Sequence, residues 1–390
     1  HAIEVLKQNH PGEEIHGDIT QIDAKEIPDF DFLLGGFPCQ AFSSAGKRLG
    51  FSDTRGTLFF DVERILKEKD PYGFVLENVE GLVNHDRENP KDKIGRTLST
   101  ILEHLEALGY KVSWRVLNAK YFGVPQERKR IYIVGTKRDY PDLSTFKHTS
   151  KLLGDVLENG LNTEHSKFID NLLAHYSIEE LEGKSIKDKR GGDNNIHSWD
   201  IEMKGPVSPT QRQLLNTMLK ERRKKKWAEE YGIDWMDGMP LTIDQIRTFF
   251  EHPELEEMLN DLVQKKYLRY EHPKKKVGNR REYDTSLPKG YNIVAGKMSF
   301  EISKIMGKND IAPTLVAMDM QHLYVTDGMG VRTLSLREGL RLFGYPDDYK
   351  LDIEKSLGYD LLGNTVVVPV IAEVSGRVLD IYCREEPINA

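Results

Sequence analysis

Residues 29–46 read DFDFLLGGFPCQAFSSAG. Phe32, Leu33 and Leu34 form a short apolar run that stops at Gly35 and Gly36, the pattern of a buried strand giving way to a turn. After Phe37, Pro38 and Cys39 the residues become small and polar, as in a loop. A cysteine at the carboxyl end of a buried strand, facing such a loop, is where an α/β protein presents a nucleophile. A small buried residue at a tight turn fits the same letters, because free cysteine packs as a core hydrophobe. The segment alone leaves both readings open.

The surrounding chain sets the class. Its 390 residues suffice for two or three domains with real cores. Hydrophobic residues make up 38% and charged residues 30%, the balance of a soluble protein, with a mean hydropathy of −0.53. No apolar run is long enough to cross a bilayer, and the opening residues do not read as a signal peptide. Two cysteines, Cys39 and Cys383, make no disulfide framework and point to a reducing cytoplasm. Neither belongs to a zinc-like cluster, so no metal site is expected. The net charge of −7 speaks against a generally nucleic-acid-coating surface, although a local basic face can hide within it.

Strand-like and helix-like segments alternate over the first 140 residues. FDFLLGGF precedes DVERILKEK, in which Val62, Ile65 and Leu66 share one helical face. GFVLENV then precedes TLSTILEHLEALGY, where Leu98, Ile101, Leu102 and Leu105 keep helical spacing and Gly109 supplies a stop. KVSWRVL and RIYIVGT are further strands. This order predicts an α/β fold with a mainly parallel sheet and helices on both faces. Ligands of such sheets bind beyond the carboxyl ends of the strands, where Cys39 and Glu77 would both sit.

The character changes near residue 150. Polar linkers appear, followed by the basic run Arg222–Lys226 and the basic turn Lys274–Arg281. The expected division is 1–150, a smaller middle domain 151–330, and a closing segment 331–390 that completes the first domain. Within the middle domain, about 205–290 suits a winged-helix-like unit. Charge runs also occur on helix faces that only meet water.

Glu77 ends one strand, and Arg128 and Arg130 open another. A thiol, a carboxylate and guanidinium groups at one sheet edge can run covalent chemistry on a polar ring. Arginine favours the thiolate, and a carboxyl group can protonate or hydrogen-bond a ring nitrogen.

Read in order, GDIT (17–20), GGFPCQAFSSAG (35–46), RGTLFF (55–60), LENV (76–79), QERKRIY (126–132), GYPDDY (344–349) and GNTVVVPV (363–370) closely resemble the DNA cytosine-5 methyltransferases of bacterial restriction–modification systems. The resemblance covers residues 1–140 and 310–380 and leaves the middle as a variable target-recognition domain. It implies a Rossmann-like, S-adenosylmethionine-dependent methyltransferase sheet acting on double-stranded DNA, with S-adenosylhomocysteine as product. Cys39 would attack carbon 6 of a flipped-out cytosine, Glu77 would hold the ring-nitrogen edge, and Arg130, backed by Arg128, would engage the base carbonyl. Asp18, Ile19, Phe37, Pro38, Leu58, Asn364, Thr365 and Val366 match cofactor-wall positions. Gln40, Ser43, Ser44, Lys47 and Arg55, in the loop that would close over the base, match DNA-facing positions. Thr314, in APTL (312–315), resembles an element near the end of the recognition domain. Lys274, Lys275 and Lys276 are expected to meet DNA phosphates on charge alone.

One departure stands out. The family's Phe-x-Gly-x-Gly loop and the acidic residue after it have no counterpart, since HAIEVLKQNH matches the helix that follows them. The expectation is either that this sequence omits an N-terminal stretch of roughly 40–50 residues or that the protein is split and needs a complementing N-terminal fragment or subunit as partner, with weak cofactor binding by these residues alone. The resemblance also implies a cognate restriction endonuclease as functional partner, no membrane, and a place beside the bacterial nucleoid. Alternatives are one subunit of a split methyltransferase, or a DNA-binding protein on an inactive methyltransferase fold. An RNA-directed relative fits less well, because about 160 residues separate the two catalytic segments; a thiol hydrolase lacks a histidine near Cys39.

Overall fold

The computed structural model describes residues 1–37, 58–89, 91–188, 192, 194–234, 238–278, 280–295 and 300–384. Pro38, Cys39, Gln40, Ser43, Ser44, Lys47 and Arg55 lie outside the described residues. After helix α1 (Ala2–Asn9), the apolar run at Phe32 forms strand β1 (Phe32–Gly36). Helix α2 (Leu58–Lys69) connects it to β2 (Gly73–Val79), which pairs with β1 in parallel. Helix α3 (Arg96–Ala107) leads into β3 (Lys111–Asn118), and β4 (Lys129–Thr136) follows. The sheet order is β1-β2-β4-β3. Phe59 and Leu66 of α2, with Leu98, Ile101 and Leu105 of α3, bury against Phe74 and Leu76 of β2. In α3 these are positions that helical spacing put on one face; in α2 Leu66 and the partly buried Val62 join this core, Phe59 adds to them, and Ile65 is buried outside it.

The expected mainly parallel sheet is corrected here. Among the described residues of this sheet, only β1 and β2 run parallel; β4 is antiparallel to both β2 and β3. Connection length is the cause. Residues 119–128 join β3 to β4, and a parallel crossover needs a dozen or more, usually with a helix. The reversal matters for the site, because it makes β4 open at the edge where β2 closes. In a parallel sheet, Arg130 would sit at the opposite edge from Glu77.

A second unit follows. Helices α4 (Lys167–His175) and α5 (Ile178–Leu181) and strands β5 (Ser185–Ile186) and β6 (Asn195–Ile196) come first. Then come α6 (Pro209–Glu221), α7 (Lys226–Glu229), α8 (Ile243–Arg247) and α9 (Leu255–Gln264). Four short strands follow: β7 (Leu268–Glu271), β8 (Lys274–Val277), β9 (Arg280–Tyr283) and β10 (Gly290–Ile293). Strands β11 (Lys304–Met306), β12 (Leu323–Asp327) and β13 (Gly330–Thr333) join β5 and β6 in one sheet, ordered β13-β12-β11-β5-β6. Leu241 exchanges backbone hydrogen bonds with Tyr291 of β10, and β10 pairs with β7. From α6 to β10 the order is therefore two helices, bridge strand, two helices, strand, hairpin, strand. Trp199, Leu214, Met218, Leu259 and Leu262 anchor its own apolar core.

The chain returns through α10 (Leu336–Leu342), α11 (Lys355–Gly363) and α12 (Val368–Cys383). Helix α12 covers the sheet face opposite α3: a side chain at Gly73 would stand 2.8 Å from Val378. Residues 1–157, 309–320 and 335–390 make up one compact unit, and 158–308 with 321–334 the other. Among the described residues, no helix is long and apolar enough to cross a membrane.

Candidate active site

The site grows from the paired ends of β1 and β2. Gly36 is the register partner of Glu77. Next to them, the Asn78 side-chain amide donates to the Phe37 carbonyl at 3.1 Å, and the Phe37 ring meets Phe59 edge-on at 5.7 Å. Asn78 is buried, so a strand-end side chain fixes the chain just before Pro38 and Cys39.

Glu77 faces Arg130. The arginine Nε lies 3.0 Å from Glu77 Oε1, and Arg130 also donates to the Lys129 carbonyl at 2.8 Å. In antiparallel register, Glu77 lies across from Tyr132 and Val79 across from Arg130, which puts all four side chains on one face. Burial raises the Glu77 carboxyl above its ordinary pKa; Arg130 and Arg128 oppose that rise only in part. Burial also raises the Tyr132 phenol, with the Glu77 charge adding to the effect. A carboxyl group poised toward its neutral form can donate a proton or hydrogen bond to a ring nitrogen, while the guanidinium holds negative charge beside it.

Arg128 faces elsewhere. It is buried, stacks over the Phe343 ring at 5.2 Å, and donates to the carbonyls of Leu315 (2.9 Å), Gly363 (3.3 Å) and Thr365 (3.0 Å). Its neighbour Gln126 is fully buried, donates to the Leu342 carbonyl and accepts from the Leu315 amide. The Thr314 hydroxyl donates to the Glu127 carbonyl at 2.7 Å. QERKRIY, APTL and GNTVVVPV are thus knit together by hydrogen bonds centred on residues 126–128.

The candidate cofactor residues occupy two places. Asp18 caps the turn Ile19–Gln21, accepting from the Thr20 amide and hydroxyl, and these bonds hold its exposed carboxyl below the usual carboxylate range. Arg64 of α2 donates to the carbonyls of Ile19 and Ile22, fixing that segment on the helix that Leu58 begins. Asn364 ends α11, and the Thr365 hydroxyl bonds Tyr345 at 2.6 Å. Both line a cavity of about 250 Å³ with Val5, Leu340, Tyr345 and Leu361. Val366 is half-buried beside them.

The middle-region cations separate by environment. Arg222 is buried and donates to Asn292 at 2.8 Å, Lys224 pairs with Glu221, and Lys226 stacks on Trp227 at 3.9 Å. Lys275 and Lys276 are exposed on β8, and Lys274 is half-buried there. Asn78 and Tyr132 lie inside the motifs LENV and QERKRIY, and they join the site although the resemblance assigns neither a role. For Tyr132 the available signal is strand alternation from Arg130.

Residues 1–380 match the family model described as C-5 cytosine-specific DNA methylase. The Type II methyltransferase M.NlaIV of Neisseria lactamica is 67% identical over 378 residues, covering 97% of this chain and 89% of that protein. M.BanI of Aneurinibacillus aneurinilyticus is 40% identical over 386 residues, covering 93% and 83%. Among solved structures, Entamoeba histolytica methyltransferase EhMeth aligns with a TM-score of 0.51 at 12% identity, covering 97% of this chain and 87% of its own. The Dnmt2 methyltransferase of S. pombe aligns at 0.50 with 14% identity, covering 97% and 88%. The fold is the α/β methyltransferase fold, with a mixed sheet. On this match, the chain belongs to the C-5 cytosine-specific DNA methylases.

Proposed function

We propose that this protein methylates carbon 5 of a cytosine flipped out of double-stranded DNA, through a covalent adduct with Cys39. The supporting observation is the buried Glu77–Arg130 pair at the sheet edge where Asn78 pins the chain leading to Cys39. The thiolate of Cys39 adds to carbon 6, and the ring electrons shift toward carbon 5 as Glu77 gives its proton, or a hydrogen bond, to nitrogen 3. Arg130 holds Glu77 in place and stabilises charge on the base carbonyl. After methylation, the carbon 5 proton passes to solvent, its electron pair re-forms the carbon 5–carbon 6 double bond as the Cys39 sulfur leaves as thiolate, and nitrogen 3 gives its proton back to Glu77. Flipping costs a few kcal/mol of stacking and pairing, which contacts from the loop carrying Gln40, Ser43, Ser44, Lys47 and Arg55 offset as it closes.

The residues present fit part of an S-adenosylmethionine site. Asp18 offers a held anionic acceptor, and the cavity beside Asn364 and Thr365 offers apolar and aromatic walls with a hydroxyl. Asp18, Ile19, Phe37, Pro38, Leu58, Asn364, Thr365 and Val366 would hold the cofactor. When bound, it supplies an electrophilic methyl group. Relatives carry the name Type II methyltransferase, so we assign the protein a protective role beside a restriction endonuclease of the same target, in the bacterial cytoplasm. Bisulfite sequencing of plasmid DNA from cells making the protein tests the reading. Protected cytosines at one recurring short sequence support it; uniform conversion contradicts it.

A further inference from the structure

The β8–β9 hairpin sorts its charges by face. Residues directly opposite in an antiparallel pair project to the same side. The register Lys274↔Tyr283, Lys276↔Arg281 therefore puts two lysines, an arginine and a tyrosine on one face. Lys275↔Glu282 and Val277↔Arg280 fall on the other. Two contacts agree with this division. Lys274 Nζ lies 4.5 Å from the centre of the Tyr283 ring, and Lys275 pairs with Asp284 at 3.1 Å. The second face thus has carboxylates beside its cations. The paired residues of the first include none.

Lys276 and Arg281 are both exposed and directly opposed, an arrangement that costs stability to like-charge repulsion. An external polyanion would relieve it. The hairpin is also held in one attitude, as a docking surface requires. Tyr283 donates to one oxygen of Glu271 and Asn292 to the other, each at 2.9 Å, and Arg222 donates to Asn292. A side chain at Gly238 would collide with the Arg222 guanidinium, so this inner arginine is packed in place. The helix that a helix-turn-helix relative would lay in the major groove is α9, and the exposed Glu254 at its N-cap with Glu256 and Glu257 in its first turn repel phosphate.

We propose that the face carrying Lys274, Lys276 and Arg281 binds the phosphate backbone of duplex DNA, and that the hairpin rather than α9 makes this unit's main electrostatic contact. The proposal rests on the reading of the protein as a DNA methyltransferase. Lys275, expected from charge alone to meet phosphate, is assigned instead to holding Asp284. Phosphate contacts of this kind position a protein without reading sequence.

The test compares K276A/R281A with K275A/R280A, two charges removed from either face, in the full chain. Binding to a 30-base-pair duplex is measured across a salt series. Every phosphate left without its cation flattens the slope of log affinity against log salt by about 0.9, so K276A/R281A is expected to flatten it by up to about 1.8 and K275A/R280A to leave it unchanged. Thermal melting of K276A/R281A is expected at or above the wild-type temperature, because a repulsive pair is gone. An unchanged slope in K276A/R281A, or equal flattening in both variants, overturns the proposal. Bisulfite sequencing separates the two levels. Wild-type methylation with an unchanged K276A/R281A slope removes the hairpin surface alone; face-dependent slopes without methylation remove the methyltransferase reading alone.

Discussion

Arg130 Nε sits 3.0 Å from Glu77 Oε1, with the two side chains only 15% and 17% exposed. Neither residue is near the other in sequence. The antiparallel pairing of β2 with β4 brings them together, because it sets the last residues of one strand against the first of the other. In this arrangement Glu77 can change its proton while Arg130 holds its position.

Glu77→Gln preserves shape and removes the proton donor. Turnover on duplex DNA is expected to fall by about 10²–10⁴, the span of acid–base assistance, with cofactor affinity nearly unchanged. Steady-state kinetics of the variant checks this. Near wild-type turnover would contradict the role assigned to the carboxylate.

The raised Glu77 pKa makes a separate statement about stability. A carboxyl group whose pKa is higher folded than unfolded binds more protons in the native state between the two values. Its contribution is then fully present below the ordinary carboxylate pKa and is lost as pH rises through the raised one. Wild type is therefore expected to lose stability relative to Glu77→Gln as pH rises through that window. Urea midpoints of both proteins from about pH 4 to 7, spanning the ordinary carboxylate value and the range above it, measure it. A difference that grows in favour of wild type with rising pH has the wrong sign for this account.

Arg128 and Arg130 separate into different tasks. Arg128 spends its donors on three backbone carbonyls of distant segments, so Arg128→Ala leaves buried acceptors unmatched and is expected to cost about 3 kcal/mol of stability. Arg130→Ala is expected to cost less stability and more turnover. Denaturant melts beside initial rates distinguish them. An Arg128→Ala protein of wild-type stability would undo the positioning role.

Much of this is legible in the letters. Phe32–Gly36 and Gly73–Val79 carry apolar runs that form strands in almost any context, and the spacing of Leu98, Ile101 and Leu105 marks the buried face of α3. The direction of β4 escapes a reading from strand and helix order alone, although the short link from Asn118 to Lys129 argues for it. Arg128 and Arg130 look equivalent because they are two apart. Their guanidinium groups diverge because Arg128 precedes the strand and reaches Leu315, Gly363 and Thr365, partners nearly two hundred residues or more away. No local pattern encodes such contacts. The basic run at Arg222 misleads for a related reason: a core position and a surface position carry the same letter until packing turns Arg222 toward Asn292.

Asp18 gives a prediction for the cofactor side. Removing its carboxylate by Asp18→Ala deletes an anionic acceptor and is expected to raise the KM for S-adenosylmethionine by roughly 10- to 100-fold, the worth of a hydrogen bond to a charged group, with kcat little changed. A variant with unchanged KM and reduced kcat would place Asp18 outside the cofactor site.

The central claim is covalent attack by Cys39 on cytosine, at the edge organised by Glu77, Arg130 and Asn78. Duplex DNA carrying 5-fluorocytosine at the target position tests it, because fluorine replaces the proton whose loss would release the enzyme. With S-adenosylmethionine present, the wild-type protein is expected to form a denaturant-stable complex with this DNA that contains a bond to Cys39, and Cys39→Ser is expected to bind the DNA without forming one. A stable complex with the Cys39→Ser protein, or a wild-type adduct mapped to another residue, would contradict the account.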